Sequence, residues 1–171
     1  MSGQHHTVRL FPDPVLRKKA ALIERFDASL KDIVRHMADT MKYQPLGIGI
    51  AAPQVGISKR VVIVDVSKRD PGRKRLIMVN PVIVEMSQER ASREGCMSLP
   101  DYTGYLKRWE RMRVSWQDES GNFHETISEG IEAVCIQHEI DHLNGILFID
   151  HVASLKRDMI PRPVKGRTFK Q

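Results

Sequence analysis

The 171-residue sequence has little of several features that would place it in a particular class of protein. It contains only two cysteines, Cys96 and Cys135, which argues against a secreted domain held together by disulfides. No apolar run approaches the ~20 residues that a membrane-spanning helix needs. The N-terminus has neither the apolar core of a secretory signal nor the composition of a transit peptide. These absences predict a cytoplasmic protein without a membrane segment.

The sequence does have enough apolar residues for one domain, together with an excess of positive charge. Hydrophobic residues make up 41% of the chain, so a single domain spanning 1–171 is expected. The formal net charge is +6, and basic residues cluster in 68–75, 107–113 and 156–170. Within that domain, residues 156–171 are predicted to form a basic, flexible tail.

The hydrophobic pattern predicts an α+β fold. Asp27 is placed to cap a helix with an apolar stripe, formed by Leu30, Ile33, Val34, Met37 and Met41. Strands are predicted in four ranges, 60–66, 76–85, 112–116 and 123–127. Because helices lie early and late and strands lie between them, we expect antiparallel or mixed β-sheets around a buried C-terminal helix, plus an N-terminal helix.

The late helix carries two histidines, His138 and His142, with Glu139 between them. Residues four apart lie on one helix face, so both imidazoles can reach one divalent cation. A glutamate beside such a pair can move protons during hydrolysis. Apolar residues continue the helical spacing, so we expect a buried helix that begins near 128–130 and ends at Gly145. The alternative is a pair of core histidines that hydrogen-bond to carboxylates.

A catalytic metal site with an open position needs a third ligand beside the two histidines. Zinc peptidases with this motif use a further histidine or a downstream glutamate, but Phe148 occupies the histidine position and no glutamate follows Glu139. Four candidates remain, namely Cys96, Asp150, His151 and Asp158. We favour Cys96 because it lies in a glycine-containing loop between predicted strands. Cys135, with apolar helical neighbours, is typical of a packed cysteine.

A third segment, 47–54, alternates glycine with branched residues and ends at Gln54. Glycine lets another backbone approach closely while the strand still forms its hydrogen bonds. The side-chain amide of Gln54 can donate hydrogen bonds. The alternative interpretation is a turn of small residues that packs beneath a sheet.

Together these three segments resemble the peptide deformylase family. The family has the motifs G-x-G-x-A-A-x-Q, E-G-C-x-S and Q-H-E-x-D-H in this order, which here occupy 47–54, 94–98 and 137–142. The segment 147–151 after the histidine helix is also similar to the family. The resemblance covers residues 8–159.

The resemblance implies a metal-dependent hydrolase that removes the N-formyl group from the formyl-methionine of newly made polypeptides and releases formate. It implies that Cys96, His138 and His142 hold the metal, and that Glu139 is the general acid and base for a metal-bound water. It further implies Fe²⁺ as the working ion, with Zn²⁺, Ni²⁺ or Co²⁺ as other occupants.

The resemblance also assigns residues around the substrate. Gln54 and the backbone N–H of Met97 are expected to donate hydrogen bonds to the developing oxyanion. Ile48 and Gly49 are expected to align the substrate backbone like an added strand. Three residues are expected to line the methionine pocket, namely Ile131, Val134 and Cys135. Glu132 stands where the family more often has an apolar residue, which predicts that this edge of the helix faces solvent.

A pair between Asp141 and Arg108 is expected to join the cysteine loop to the histidine helix. The alternative is a solvated aspartate at the surface.

The expected partners are N-formylmethionyl nascent peptides, with no DNA and no membrane, and the chain is expected to be a monomer. The basic surface or tail has two interpretations, contact with ribosomal RNA or a solvated surface that aids solubility. Two other functions stay open, namely a different metal-dependent amidase or peptidase on this scaffold and a non-catalytic relative that binds RNA or the ribosome.

Overall fold

Six antiparallel strands and three α-helices make up the part of the chain that the computed structural model describes, residues 7–44 and 47–162. The helices are α1 Ala28–Lys42, α2 Gly130–Leu143 and α3 Leu155–Asp158. The strands are β1 Gly49–Ala51, β2 Val61–Val64, β3 Leu76–Cys96, β4 Leu99–Gln117, β5 Phe123–Glu129 and β6 Met159–Pro161. The predicted α+β class with an antiparallel sheet is confirmed.

The strands form one sheet in the order β1-β2-β3-β4-β5, and β6 pairs with β4. The predicted strand positions are confirmed, but β3 and β4 are much longer than predicted, at 21 and 19 residues. The outer part of β3, residues 87–95, is mostly polar, and register shifts near Val79, Ile83 and Gly95 interrupt the apolar alternation. The antiparallel pair of β3 and β4 is therefore extended by cross-strand hydrogen bonds, which the sequence pattern does not show. Cys96 is consequently the last residue of β3 rather than a loop residue.

The core lies on both faces of β2, which is buried along its whole length. Val61 and Ile63 point toward α1, whereas Val62 and Val64 belong to the cluster that includes α2. Successive strand side chains point to opposite faces, so one short apolar run supplies both clusters. Each fully buried side chain of this type contributes about 1.5–3 kcal/mol of transfer free energy, which places β2 at the centre of the fold.

Helix α1 forms as its sequence predicts. The Asp27 side chain accepts a hydrogen bond from the backbone N–H of Ser29 at 3.0 Å and caps the first turn. Most of the predicted apolar stripe is buried, namely Leu30, Val34, Met37 and Met41. The helix covers the face of β2 that α2 does not contact, and it therefore stabilises the sheet from the other side.

The described part of the predicted basic tail has regular structure. Residues 155–158 form α3, and 159–161 form β6, which pairs with residues 102–104 of β4. The rest of the predicted tail, from 163 onward, lies outside the described residues. Among residues 7–44 and 47–162, no helix is long and apolar enough to cross a membrane.

Candidate active site

Three side chains converge where the end of β3 meets α2. The ligand atoms of Cys96, His138 and His142 all lie within 4.8 Å of one another. The Cys96 Sγ is 3.2 Å from Nε2 of His142, and the two imidazole rings are 5.0 Å apart between centroids. Helical spacing brings the histidines to one face, and the sheet brings the cysteine to them. The grouping predicted from the sequence is present.

The other candidate ligands are engaged elsewhere. Asp150 pairs with Arg17, and Asp158 pairs with Arg157. The Nε2 atom of His151 lies 2.8 Å from the carboxylate of Asp141. Among the described residues, none of these three side chains belongs to a cluster of ligand atoms close enough to bind one metal ion. Cys96 is therefore the third-ligand candidate that the geometry supports.

The two cysteines have opposite electrostatic surroundings. Burial raises the pKa of both thiols, because it disfavours a thiolate. At Cys96, His142 and His138 outweigh burial and hold the pKa well below its ordinary value. At Cys135, the nearby Glu139 adds to burial, and the pKa lies well above the ordinary value. Cys96 is therefore suited to metal binding, and Cys135 remains a neutral thiol.

A divalent cation fits the residues present. A thiolate and two imidazoles form a donor set typical of zinc and of divalent iron, cobalt or nickel. The Oε2 atom of Glu139 is buried next to this set and has no hydrogen-bond partner in the described residues. Since an orphaned buried carboxylate oxygen is costly, it indicates a group or a water that completes the site.

A buried ion network supports the three side chains from behind. Arg108 donates to both carboxylate oxygens of Glu94, at 2.8 and 3.0 Å, and to Asp141 at 2.6 Å. Glu94 also lies 2.9 Å from Nδ1 of His138. Burial raises the pKa of Glu94, but hydrogen bonds with His138 and Arg108 lower it to about 2. The predicted contact between Asp141 and Arg108 is present.

The sequence predicts no role for Glu94, which nevertheless contacts two residues of the site. Its carboxylate orients His138 and anchors Arg108 at the same time. A signal was available, because residues two apart on a strand point to the same face. Glu94 lies two residues before Cys96, and both side chains are buried, but only a longer prediction for β3 would have placed them on one strand.

Gln54 lies beside the cysteine and is almost fully buried. Its Oε1 accepts from the backbone N–H of Ala51 at 2.9 Å, which directs the Nε2 group toward Cys96 and Ser98. Nε2 lies 3.5 Å from the Cys96 sulfur and 3.3 Å from Oγ of Ser98. Met97 occupies the turn between β3 and β4 and lines the same cleft. The donor of Gln54 is thus held in place next to the candidate metal ligand Cys96.

A cleft of about 620 Å³ opens onto these groups. Its lining includes Ile48 and Gly49 and, packed next to them on α2, Ile131, Val134 and Cys135. A Cβ atom at Gly49 would lie 2.7 Å from the sulfur of Cys135 and 2.9 Å from Cγ of Glu139. Only glycine therefore lets β1 approach α2 so closely. The residues predicted to contact the substrate all line this cleft.

The prediction that the Glu132 edge of α2 faces solvent is wrong. Glu132 is only 3% exposed, and it accepts hydrogen bonds from Ser128 at 2.8 Å and from Arg73 at 3.1 Å. Arg73 comes from the loop between β2 and β3, so a cation distant in sequence neutralises the buried carboxylate. A single-helix pattern cannot reveal such a partner.

The fold and the site together define a metal-dependent hydrolase whose helical His-Glu-x-x-His motif is completed by a cysteine at the end of a strand. Comparison with known proteins agrees. The chain matches the family model described as polypeptide deformylase over residues 5–158. It is 43% identical to the peptide deformylase of Rhizobium meliloti over 154 residues, covering 90% of this chain and 88% of that protein.

Two further comparisons extend this similarity to another relative and to a solved structure. The chain is 44% identical to the peptide deformylase of Desulfotalea psychrophila, covering 91% of this chain and 92% of that protein. The crystal structure of peptide deformylase from Thermotoga maritima superposes with a TM-score of 0.81 at 39% identity, covering 87% of this chain and 98% of that chain. The chain belongs to the peptide deformylase family, whose metal-dependent enzymes deformylate nascent peptides.

Proposed function

We propose that Cys96, His138 and His142 hold one divalent cation, and that Glu139 moves the protons as the formyl amide of a methionyl peptide is cleaved. One observation carries this assignment, the convergence of the three ligand atoms within 4.8 Å beside the buried Glu139 carboxylate. A cation bound there supplies Lewis acidity, which polarises the formyl carbonyl and acidifies water.

Glu139 has the properties of a proton carrier. Burial raises its pKa to about 7, against the lowering effect of the two histidines. A carboxylate in this range can accept a proton from the attacking water and later donate one to the departing amine near neutral pH.

Gln137 holds the helix that carries Glu139 in position. Its side chain accepts a hydrogen bond from the N–H of Trp109 and donates one to the C=O of Trp109, which fixes α2 against β4.

The side-chain amide of Gln54 and the backbone N–H of Met97 are proposed to donate hydrogen bonds to the oxyanion. We expect Gln54→Met to lower kcat about 10²- to 10³-fold with little change in KM, because the lost donor acts mainly in the transition state. Formate release from a formyl-methionyl peptide measures this effect. Gln44→Met makes the same chemical change elsewhere in the cleft and should retain kcat. An unchanged kcat in Gln54→Met would exclude this role.

The cleft walls indicate how the peptide binds. β1 is an edge strand of the described sheet, so Ile48 and Gly49 are proposed to pair with an extended substrate. Ile131, Val134 and Cys135 are proposed to contact the methionine side chain, which suits a flexible thioether.

We propose Fe²⁺ as the working ion and Zn²⁺ as a less active occupant. The donor set supports either ion, and the thiolate should make the iron form sensitive to oxygen. Metal-free protein loaded anaerobically with Fe²⁺ should release formate faster than the same protein loaded with Zn²⁺. Air should then inactivate the iron form and leave oxidised Cys96, detectable by mass spectrometry. Equal rates with the two ions would contradict the assignment.

Nascent formylmethionyl chains are the substrates of this family, so we propose that the protein acts in the cytoplasm. We also propose that it is a monomer. Contact between its basic surface and the ribosome stays a prediction. Co-sedimentation with ribosomes at low salt would test it, and absence of binding there would exclude the contact.

A further inference from the structure

The cleft changes its charge from the metal end to the outer rim. Its only carboxylates among the described lining residues are Glu94 and Glu139, both buried near the ligands. The rest of the charged lining consists of arginines, namely Arg69, Arg90, Arg93 and Arg162. A rim of this kind attracts negatively charged side chains of a peptide that extends outward from the metal end of the cleft.

Arg93 is exposed and carries an uncompensated charge. Its Nε donates to Oγ1 of Thr103 at 3.2 Å, and its guanidinium lies 5.8 Å from the ring centroid of Tyr105. Both partners are neutral, and no carboxylate of the described residues forms an ion pair with Arg93. These contacts orient the guanidinium but leave its positive charge available to a ligand.

Arg162 reaches the same region from the other end of the chain. Pairing of β6 with β4 sets Ile160 opposite Thr103, and the Arg162 N–H donates to the carbonyl of Asp101 at 2.8 Å. The side chain crosses over Gly95, where an added Cβ would lie 3.0 Å from Cζ of Arg162. Within the described residues, the Arg162 guanidinium also has no carboxylate partner.

The strand itself indicates which substrate residue these cations face. The cleft lining includes every residue from 90 to 97, so the cleft runs along the end of β3. A strand and an extended peptide both rise about 3.3 Å per residue, which places Arg93 about 10 Å from Cys96. An extended peptide that lies in this cleft between residues 48–49 and the end of β3, with its formyl group at the metal, would have its residues two and three about 7–10 Å further along.

We infer that Arg93 and Arg162 make this enzyme select formyl-methionyl chains with an acidic residue at the second or third position. This specificity rests on the proposed function and adds the class of substrate to it. Arg90 is not part of this pair of determinants, because Glu110 already neutralises it at 2.7 Å.

Matched pairs of C-terminally amidated peptides test this specificity. The first pair has Glu or Gln as the second residue after formyl-Met, and the other pair has the same exchange at the third residue. Wild-type kcat/KM should favour the Glu peptide of at least one pair about fivefold, as expected of one partly exposed ion pair. The preference should decline as salt rises, because salt screens exposed charges.

The variants locate the source of the preference. In the double variant Arg93→Gln/Arg162→Gln, the Glu-to-Gln ratio should fall to about one, whereas Arg90→Gln should keep the wild-type ratio. Each ratio compares kcat/KM for two peptides measured on one enzyme preparation. A reduced fraction of folded enzyme lowers both values equally and does not change the ratio. A wild-type ratio near one in both pairs, or a preference that survives in the double variant, would overturn the inference. Turnover of the Gln peptides reports separately on the proposed deformylation.

Discussion

Glu139→Gln should lower kcat for deformylation about 10²- to 10⁴-fold while the protein stays folded and binds its metal. The amide has the size of the carboxylate, but it can neither accept the proton of the attacking water nor return one to the amine. Glu139 is 4% exposed, so bulk water has little access to replace it. Formate release under anaerobic conditions and metal content should be measured on the same sample.

Glu132→Gln provides a matched control for this variant. It removes a second buried carboxylate from the same helix, one that binds Ser128 and Arg73 rather than facing the metal ligands. We expect Glu132→Gln to lower stability but to change kcat much less than Glu139→Gln. If Glu139→Gln kept more than a tenth of wild-type kcat, another group would have to carry the protons.

Arg108→Met should destabilise the protein by about 3–5 kcal/mol, because it removes the cation from a buried ion network. The change leaves Glu94 buried beside Asp141 without the cation that binds both carboxylates. Repulsion between them should also loosen His138, because Glu94 orients its Nδ1 atom. Urea unfolding of the metal-free protein gives the stability change, and metal titration shows whether affinity falls as well.

Arg111→Met is the appropriate comparison on the same strand. Arg111 pairs with Glu129 at the surface, where both side chains are about half exposed. Exposed pairs contribute at most about 1 kcal/mol, so this variant should unfold close to the wild-type urea concentration. Equal stabilities for the two variants would show that the buried network is dispensable.

The elements that could be predicted from the sequence are those whose determinants are neighbours along the chain. Asp27 caps α1 through a bond to Ser29, two residues away. His138 and His142 share a face because of helical geometry alone. The resemblance to deformylases added a role for Gln54, and the structure places its side-chain amide next to Cys96.

The errors concern partners that are remote in the sequence. From the sequence, Glu132 is predicted to face solvent. In the structure it is buried, because Arg73, 59 positions away, neutralises its carboxylate. The outer part of β3 lacks an apolar alternation, and it forms a strand because β4 supplies its backbone hydrogen bonds. Glu94 gains its role only when Arg108 and His138 are brought to it from β4 and α2.

The sequence by itself thus determined the histidine pair and its helix, because spacing along the chain fixes which side chains share a face, and it offered Cys96 among four candidates for the third ligand. The tertiary structure decided which charges are buried, how the ligands are supported, and that Arg162 comes to lie over Gly95 at the cleft. Pairing of β6 with β4 brings these two residues together across 67 positions of the chain, and no local pattern records that pairing.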